Sequence, residues 1–343
     1  MEVCMHGMNP GRFGQFKAYT LGSGDLKITV IDYGARIISM KYRGRELLMQ
    51  YPEAEDYIED GAYAGAIVGR TANRIRDAVC RIGNRPFRLT ANLGPHHFHG
   101  GRGNFSNRIW TADPDGSGEG LPADRDCETA HTGSERLRLK LLSPDGDNGY
   151  PGNLEAAVTY EVDDQSMTIL FEAAADRDTL YAPTTHLYFD LENGQDVRAY
   201  RLQMDAGTYL KNDGEQFPCG DPEPVSGIWD FRKEKVIGRS FDHCFLLNQN
   251  GKARLKAGGI CIEIETDFPG IQLYTGNGLS GKLKDHQGIA AEPEFAPDAI
   301  HHPSWEQPLL KAGEHFRKYV RYTVAQEDRD NGIDSEGQTV NRT

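Results

Sequence analysis

The sequence predicts an all-β protein built as one continuous sandwich, and three observations carry that reading. Apolar and polar residues alternate with period two through many short segments, and 39 glycines and 17 prolines punctuate the 343 residues. No stretch beyond about 12 residues keeps a 3.6-residue period between helix caps, which argues against strands wound alternately with helices.

Individual segments follow from the alternation. Leu26-Lys27-Ile28-Thr29-Val30 and Arg136-Leu137-Arg138-Leu139-Lys140-Leu141 each predict a strand with one dry and one wet face. Residues 157–162 and 167–172 predict a hairpin closed by Asp163-Asp164-Gln165-Ser166, and the alternation returns at Ile260, Ile262, Ile264 and at Val320, Tyr322, Val324. A short helix fits near Pro52 to Asp60. Strands run from residue 16 to residue 325 with no Pro- or Ser-rich linker, so the expected organisation is one domain over 16–325. It is flanked by an N-terminal extension, 1–15, and a polar tail, 326–343. That tail and the Gly-, Asp- and Glu-rich stretch 112–134 are expected to be mobile and to carry no chemistry.

Composition excludes several partners. With 38 basic and 51 acidic residues the net charge is −13, which repels nucleic acid and anionic membranes alike. No run of 18 apolar residues predicts a membrane span, and the start Met1-Glu2-Val3-Cys4 lacks a signal-peptide pattern, so the expected location is cytoplasmic. Six cysteines, Cys4, Cys80, Cys127, Cys219, Cys244 and Cys261, are dispersed without a C-x-x-C pair, which predicts neither structural zinc nor a disulfide scaffold.

Four polar clusters are candidates for chemistry. In Gly69-Arg70-Thr71-Ala72-Asn73-Arg74-Ile75, which follows the apolar run 64–68, Arg74 offers a rigid fork of donors suited to vicinal hydroxyls; a salt-bridged arginine at a strand end fits equally. Pro95-His96-His97-Phe98-His99-Gly100-Gly101 holds three imidazoles. His-x-His on a strand would send His97 and His99 to one face, as a metal site requires, yet no third ligand stands at a matching spacing. A metal-free donor role and a plain surface turn are the other readings, and the two glycines would admit a closely approaching ligand or strand. Thr184-Thr185-His186-Leu187-Tyr188-Phe189-Asp190-Leu191 places His186, Tyr188 and Asp190 on one strand face, where His186 could be a proton donor or a satisfied core histidine. Ala291-Glu292-Pro293-Glu294-Phe295-Ala296-Pro297-Asp298 sets Glu292 beside an apolar run; desolvation and repulsion from Glu294 would raise its pKa towards that of a useful base, unless the segment is a solvated strand end.

Taken in this order, and with the segments 143–152 (SPDGDNGYPG) and 268–277 (FPGIQLYTGN), the chain resembles the aldose 1-epimerase (galactose mutarotase) family from about Phe16 to Val324. The resemblance implies a galactose mutarotase-like twisted β-sandwich (supersandwich), an isomerase acting on a small-molecule aldose in an open cleft, no cofactor and no metal, and a monomer or homodimer. It places substrate-binding roles on Asn73, Arg74, Asp242 and Gln272, and catalytic roles on Glu292, His186 and His99. Glu292 would take the proton of the C1 hydroxyl while His186 protonates the ring oxygen from across the hemiacetal, with His99 hydrogen-bonded to that oxygen. The ring opens, C1 rotates, and closure gives the other anomer. Thr185, Glu294, His96 and Phe98 depart from the family's usual Asn, Gln, Asn and Leu, which bears on substrate preference and pH optimum. Two further readings stay open: a non-catalytic sugar-binding or regulatory module on the same fold, and a metal-dependent enzyme using His97, His99 and Glu292.

Overall fold

The computed structural model describes residues 11–22, 24–113, 134–248 and 251–327. Most of the 112–134 stretch, nearly all of the tail, and Cys4 and Cys127 lie outside these residues. The expected strand character holds throughout: among the described residues helices are limited to single 3-10 turns, one of them Glu55–Tyr57 inside the segment expected to be helical. None is long and apolar enough to cross a membrane.

A nine-stranded antiparallel sheet forms one layer. Its order is Thr111–Ala112, Glu135–Ser143, Leu154–Val162, Ser166–Ala175, His315–Gln326, Ile260–Thr266, Lys252–Ala257, Arg201–Met204, Lys235–Val236. The expected hairpin is present in register, Val162 opposite Met167. Facing this layer are a six-stranded sheet (Tyr188–Phe189, Ile289–Glu294, Gly270–Tyr274, Asp242–Leu247, Ala206–Tyr209, Glu223–Pro224) and a five-stranded sheet at the N-terminal end. The latter includes Gly11–Phe13, paired with Phe16–Leu21 inside the stretch expected to be an extension.

One apolar core joins the inner faces of all three sheets. Leu26, Ile28 and Val30 come from the five-stranded sheet, Ile262, Ile264, Val320 and Tyr322 from the nine-stranded one, and Ile271, Leu273, Ile289 and Ala291 from the six-stranded one. Each fully buried Ile or Leu contributes roughly 1.5–3 kcal/mol, so the period-two pattern fixes which face of every strand turns inward. Arg138 departs from that pattern. It lies on the face expected to be wet but is buried, ion-paired with Glu172 two strands away.

The central polar framework is Arg70, whose side chain is 1 % exposed. Its guanidinium donates to Ser143 Oγ (2.9 Å), Thr179 Oγ1 (3.0 Å) and the carbonyls of Ser143, Pro144, Pro151 and Gly152 (2.8–3.0 Å). None of these acceptors is charged, and burial lowers its pKa to about 10. The 143–152 segment therefore cradles Arg70, and its Tyr150 hydroxyl meets Thr71 Oγ1 and His97 Nε2, each at 2.6 Å. Gly100 (φ +82°) closes the same region, because a Cβ there would lie 2.0 Å from the Gly69 carbonyl oxygen; what the Gly-Gly admits is the backbone just beyond the strand Ile67–Val68 and the Asn148 side chain.

Replacing Arg70 with Met would remove a donor from six acceptors, most of them buried, and is expected to cost roughly 3–5 kcal/mol, read as a lower urea midpoint at unchanged slope. Burial also lowers the His97 pKa to about 4. The unfolded chain then binds more protons than the folded one between that value and the ordinary histidine range near 6.5. The His97 contribution is thus complete above that range and is lost as pH falls towards 4. His97→Gln should flatten the dependence of unfolding free energy on pH in that window, and an unchanged slope would contradict it.

Candidate active site

The six-stranded sheet supplies the floor of a cleft of about 560 Å³. Along Ile289–Glu294 the odd positions Ile289 and Ala291 enter the core, so Ala290, Glu292 and Glu294 face the other way. Pairing sets Gln272 opposite Glu292, Gly270 opposite Glu294 and Tyr274 opposite Ala290, while the next strand sets Asp242 opposite Tyr274 and Cys244 opposite Gln272. A one-residue slip at either ladder would turn these polar groups into the core, so the apolar alternation that locks register also places the site.

All seven residues assigned by the resemblance line this one cleft: Asn73, Arg74, His99, His186, Asp242, Gln272 and Glu292. His186 is held by two backbone bonds, its N–H to Ala66 O and its C=O from the Gly65 N–H, both 2.9 Å. The 184–191 segment is not one strand. Thr184–Thr185 pairs with Ile67–Val68, and Tyr188–Phe189 pairs with Ile289–Ala290, with the change of partner at His186. His186 and Tyr188 reach the cleft, but Asp190 accepts the Gly194 N–H at 2.7 Å and serves a turn instead.

The histidine run separates in the same way. His97–Phe98 pairs with Arg74–Ile75, and the strand ends at His99, whose φ of +47° swings its imidazole off the face that His97 occupies. His97 spends one nitrogen on the Thr90 carbonyl (2.7 Å) and the other on the Tyr150 hydroxyl, and His96 accepts the Asp77 N–H at 3.0 Å. His97, His99 and Glu292 thus do not assemble as ligands, and no group of three candidate ligands occurs among the described residues. Nor is the run a surface turn, since all three imidazoles are buried.

His99 and Asn73 are locked reciprocally: the His99 N–H donates to Asn73 O (2.9 Å) and the Asn73 N–H donates to His99 Nδ1 (3.1 Å). An imidazole nitrogen that accepts from an amide carries no proton, so His99 is neutral with its hydrogen on Nε2. Burial, with smaller contributions from His186 and Arg74, holds its pKa well below the usual value. Arg74 donates from Nη1 to Asn73 Oδ1 (3.0 Å), sits 4.9 Å above the Phe98 ring, and leaves Nε without a partner. It is not the salt-bridged arginine of the alternative reading. Gln272 Nε2 donates to Asp242 Oδ1 at 2.6 Å, leaving its own carbonyl oxygen unpaired.

Glu292 Oε2 and His186 Nε2 stand 3.4 Å apart, side by side, and both residues are 3–5 % exposed. Burial, then the charges of Glu294 and Asp242, raise the Glu292 pKa well above the carboxylate range. Burial lowers that of His186 to about 4. Buried polar atoms without partners gather here: Arg74 Nε, Thr185 Oγ1, His186 Nδ1, Gln272 Oε1 and Glu294 Oε2. Such atoms are costly in a folded protein unless a ligand or solvent meets them.

Sequence reasoning did not find the aromatic wall. Tyr63 (φ +58°) stacks against His186 with ring centres 6.1 Å apart, and Tyr51 and Tyr274 complete the lining with the loop 277–283. Tyr63 is positioned by the buried Asp60 carboxylate, which accepts the Ala62 and Ala64 N–H groups and is ion-paired to Arg36 at 2.5 Å. No local pattern marks these tyrosines, because each joins the site through contacts distant in the chain.

Comparison with known proteins identifies the family of the chain. The sequence matches the family model for aldose 1-epimerase over residues 17–323. It is 29% identical to human galactose mutarotase, with 92% of this chain and 96% of that protein aligned. It is 31% identical to the aldose 1-epimerase of Escherichia coli K12, with 86% and 91% aligned. Among solved structures, galactose 1-epimerase from Lactobacillus acidophilus superimposes with a TM-score of 0.79 at 27% identity over 91% of this chain and 95% of that one. An aldose epimerase homologue from C. elegans gives 0.81 at 24% identity over 91% and 100%, a likeness of fold. With a family match spanning most of its length and with relatives that align almost end to end, the chain belongs to the aldose 1-epimerase family.

Proposed function

We propose that this protein interconverts the α and β anomers of a free aldose such as galactose or glucose, opening and reclosing the hemiacetal by paired proton transfer. The observation that carries the reading is the buried Glu292–His186 pair facing the cleft at 3.4 Å. The two oxygens of a hemiacetal share one carbon. A base for the C1 hydroxyl and an acid for the ring oxygen must therefore stand next to each other, rather than on opposite sides of the sugar.

Desolvation gives the pair a further property. Burial penalises charge on Glu292 and on His186 alike, so the two together favour a net neutral state holding one shared proton. Ring opening draws on the form in which the shared proton, favoured on Glu292 by burial, has moved to His186: the Glu292 carboxylate takes the O1 proton, the C1–ring oxygen bond breaks, C1=O1 forms, and the His186 imidazolium gives its proton to the departing oxygen. The pair ends as carboxylic acid and neutral imidazole, again with one proton. After rotation about C1–C2 the same transfers run backwards and the other face of C1 is attacked. The pair never acquires a net charge, which suits a low-dielectric site.

The remaining groups bind and aim. The His99 Nε2–H is a fixed neutral donor for the ring oxygen, Arg74 and Asn73 meet hydroxyls at one end, and Asp242 with Gln272 at the other. Tyr63 and Tyr188 supply flat apolar surface against the sugar's C–H faces. A sugar-binding module without catalysis would need the hydroxyl partners but has no use for a desolvated acid–base couple.

In polarimetry of freshly dissolved α-glucose or α-galactose, protein treated with a chelator should still speed the approach to equilibrium rotation. Glu292→Gln should reduce kcat at least about 100-fold without loss of thermal stability. A variant with full rate would remove Glu292 as the base, and sugar binding with no acceleration by the wild type would favour the module. The pH profile of kcat/KM should be bell-shaped. Its acid limb reports the second proton entering at His186, near 4, and its alkaline limb the loss of the shared proton, held well above the ordinary carboxylate range.

A further inference from the structure

Glu294 is a buried carboxylate beside the site that the mechanism leaves without a task. It is 1 % exposed, two positions from Glu292 on the same strand face, and it does not line the cleft. Its Oε1 accepts the Asn73 Nδ2–H at 2.9 Å, and its Oε2 has no partner. Asn73 is the hub of the other wall: its amide N–H fixes the His99 tautomer, and its Oδ1 accepts from Arg74. A carboxamide held by an acceptor at Nδ2 cannot turn over, so Glu294 determines that an oxygen, not an NH2 group, faces Arg74.

Resting on the function proposed above, we propose that Glu294 is a positioning residue: it fixes the Asn73 carboxamide that aims Arg74, and once ionised, on the alkaline side, its charge beside Glu292 keeps the shared proton on the Glu292–His186 pair. Several groups surround the two carboxyls. Arg74 and Asn73 approach from one side, Asp242 and Cys244 from the strand two over, and His186, Tyr188 and Tyr274 from the cleft, with Tyr322 beneath. Burial is the largest influence on Glu294 and, with the charge of Asp242, raises its pKa to about 8 against the Asn73 hydrogen bond and the Arg74 charge, which favour its ionisation. Glu292 lacks the hydrogen bond and meets the charges of Glu294 and Asp242, so Glu294 ionises first and Glu292 second. Removing the Glu294 charge then lets Glu292 release its proton at lower pH.

Two substitutions separate the roles. Glu294→Gln keeps an acceptor for Asn73 and removes the charge. It should hold KM within about twofold of wild type while moving the alkaline limb of kcat/KM down by about one pH unit or more. Glu294→Met removes both, and should add a rise in KM of about fivefold or more, the loss expected for one hydrogen bond. An alkaline limb that superimposes on wild type in Glu294→Gln, or a KM equally raised in both variants, would overturn the proposal. In the unsubstituted protein, 13C carboxyl shifts of labelled glutamate should show two coupled titrations above the ordinary range near 4.3; two independent ordinary titrations would also overturn it. If no aldose is mutarotated, the function proposed above fails, whereas the carboxyl titration still reads the pair.

Discussion

Exclusion of water from Glu292 and His186 is the constraint from which the rest of the site follows. Either group in solvent would hold its charge at neutral pH independently of the other. Removed from water and set 3.4 Å apart, they gain most by holding one proton between them. Their surroundings are accordingly quiet: neutral His99, the amides of Asn73 and Gln272, and tyrosine rings, with Arg74 and Asp242 at the margins. In the mechanism proposed above, the site offers a donor and an acceptor that exchange roles without changing its total charge. The symmetry suits a reaction that must run equally well from either anomer.

Holding that arrangement requires rigidity from beneath, and two buried arginines provide it in different ways. Arg70 is neutralised by no carboxylate, and is held by six neutral acceptors from the 143–152 segment, Thr179 and adjoining turns. It ties the nine-stranded sheet to the turn that carries Asn73 and Arg74. Arg36, in contrast, is paired with Asp60 out of contact with water, and through Asp60 shapes the turn on which Tyr63 sits. Breaking a buried pair leaves an uncompensated charge, so such frameworks confer precision of position more than net stability.

The left-handed conformations follow the same logic. Tyr63, Asn73 and His99 all have φ near +50°, unusual for residues with a Cβ, and all three line the cleft. His99 follows the strand His97–Phe98, Asn73 precedes Arg74–Ile75 and Tyr63 sits in a turn, and each presents its side chain to the cavity. The reciprocal bonds between Asn73 and His99 offset the conformational cost, which is of order 1–3 kcal/mol for each such residue. Glu294 extends this wall one layer deeper, where its carboxylate can act on both the Asn73 amide and the Glu292 proton.

The amino-acid sequence by itself determined the class of fold, because period-two burial is a local property that each strand expresses alone. It also marked the seven cleft residues, through motifs whose order along the chain resembles one family. The single strand over 184–191 and the shared face of His97 and His99 were misread, since alternation says which way side chains point but not where a strand changes partner or ends in a left-handed residue. Tertiary structure decided what only distant segments in contact can decide. The ladder register set Gln272 and Asp242 beside Glu292 and Tyr274 at the cleft, and contacts between distant segments brought Tyr51 and Tyr63 to the wall. Burial of Glu292 against His186 raised the pKa of the one and lowered that of the other. Desolvation depends on everything packed around a group, and no stretch of sequence contains that information.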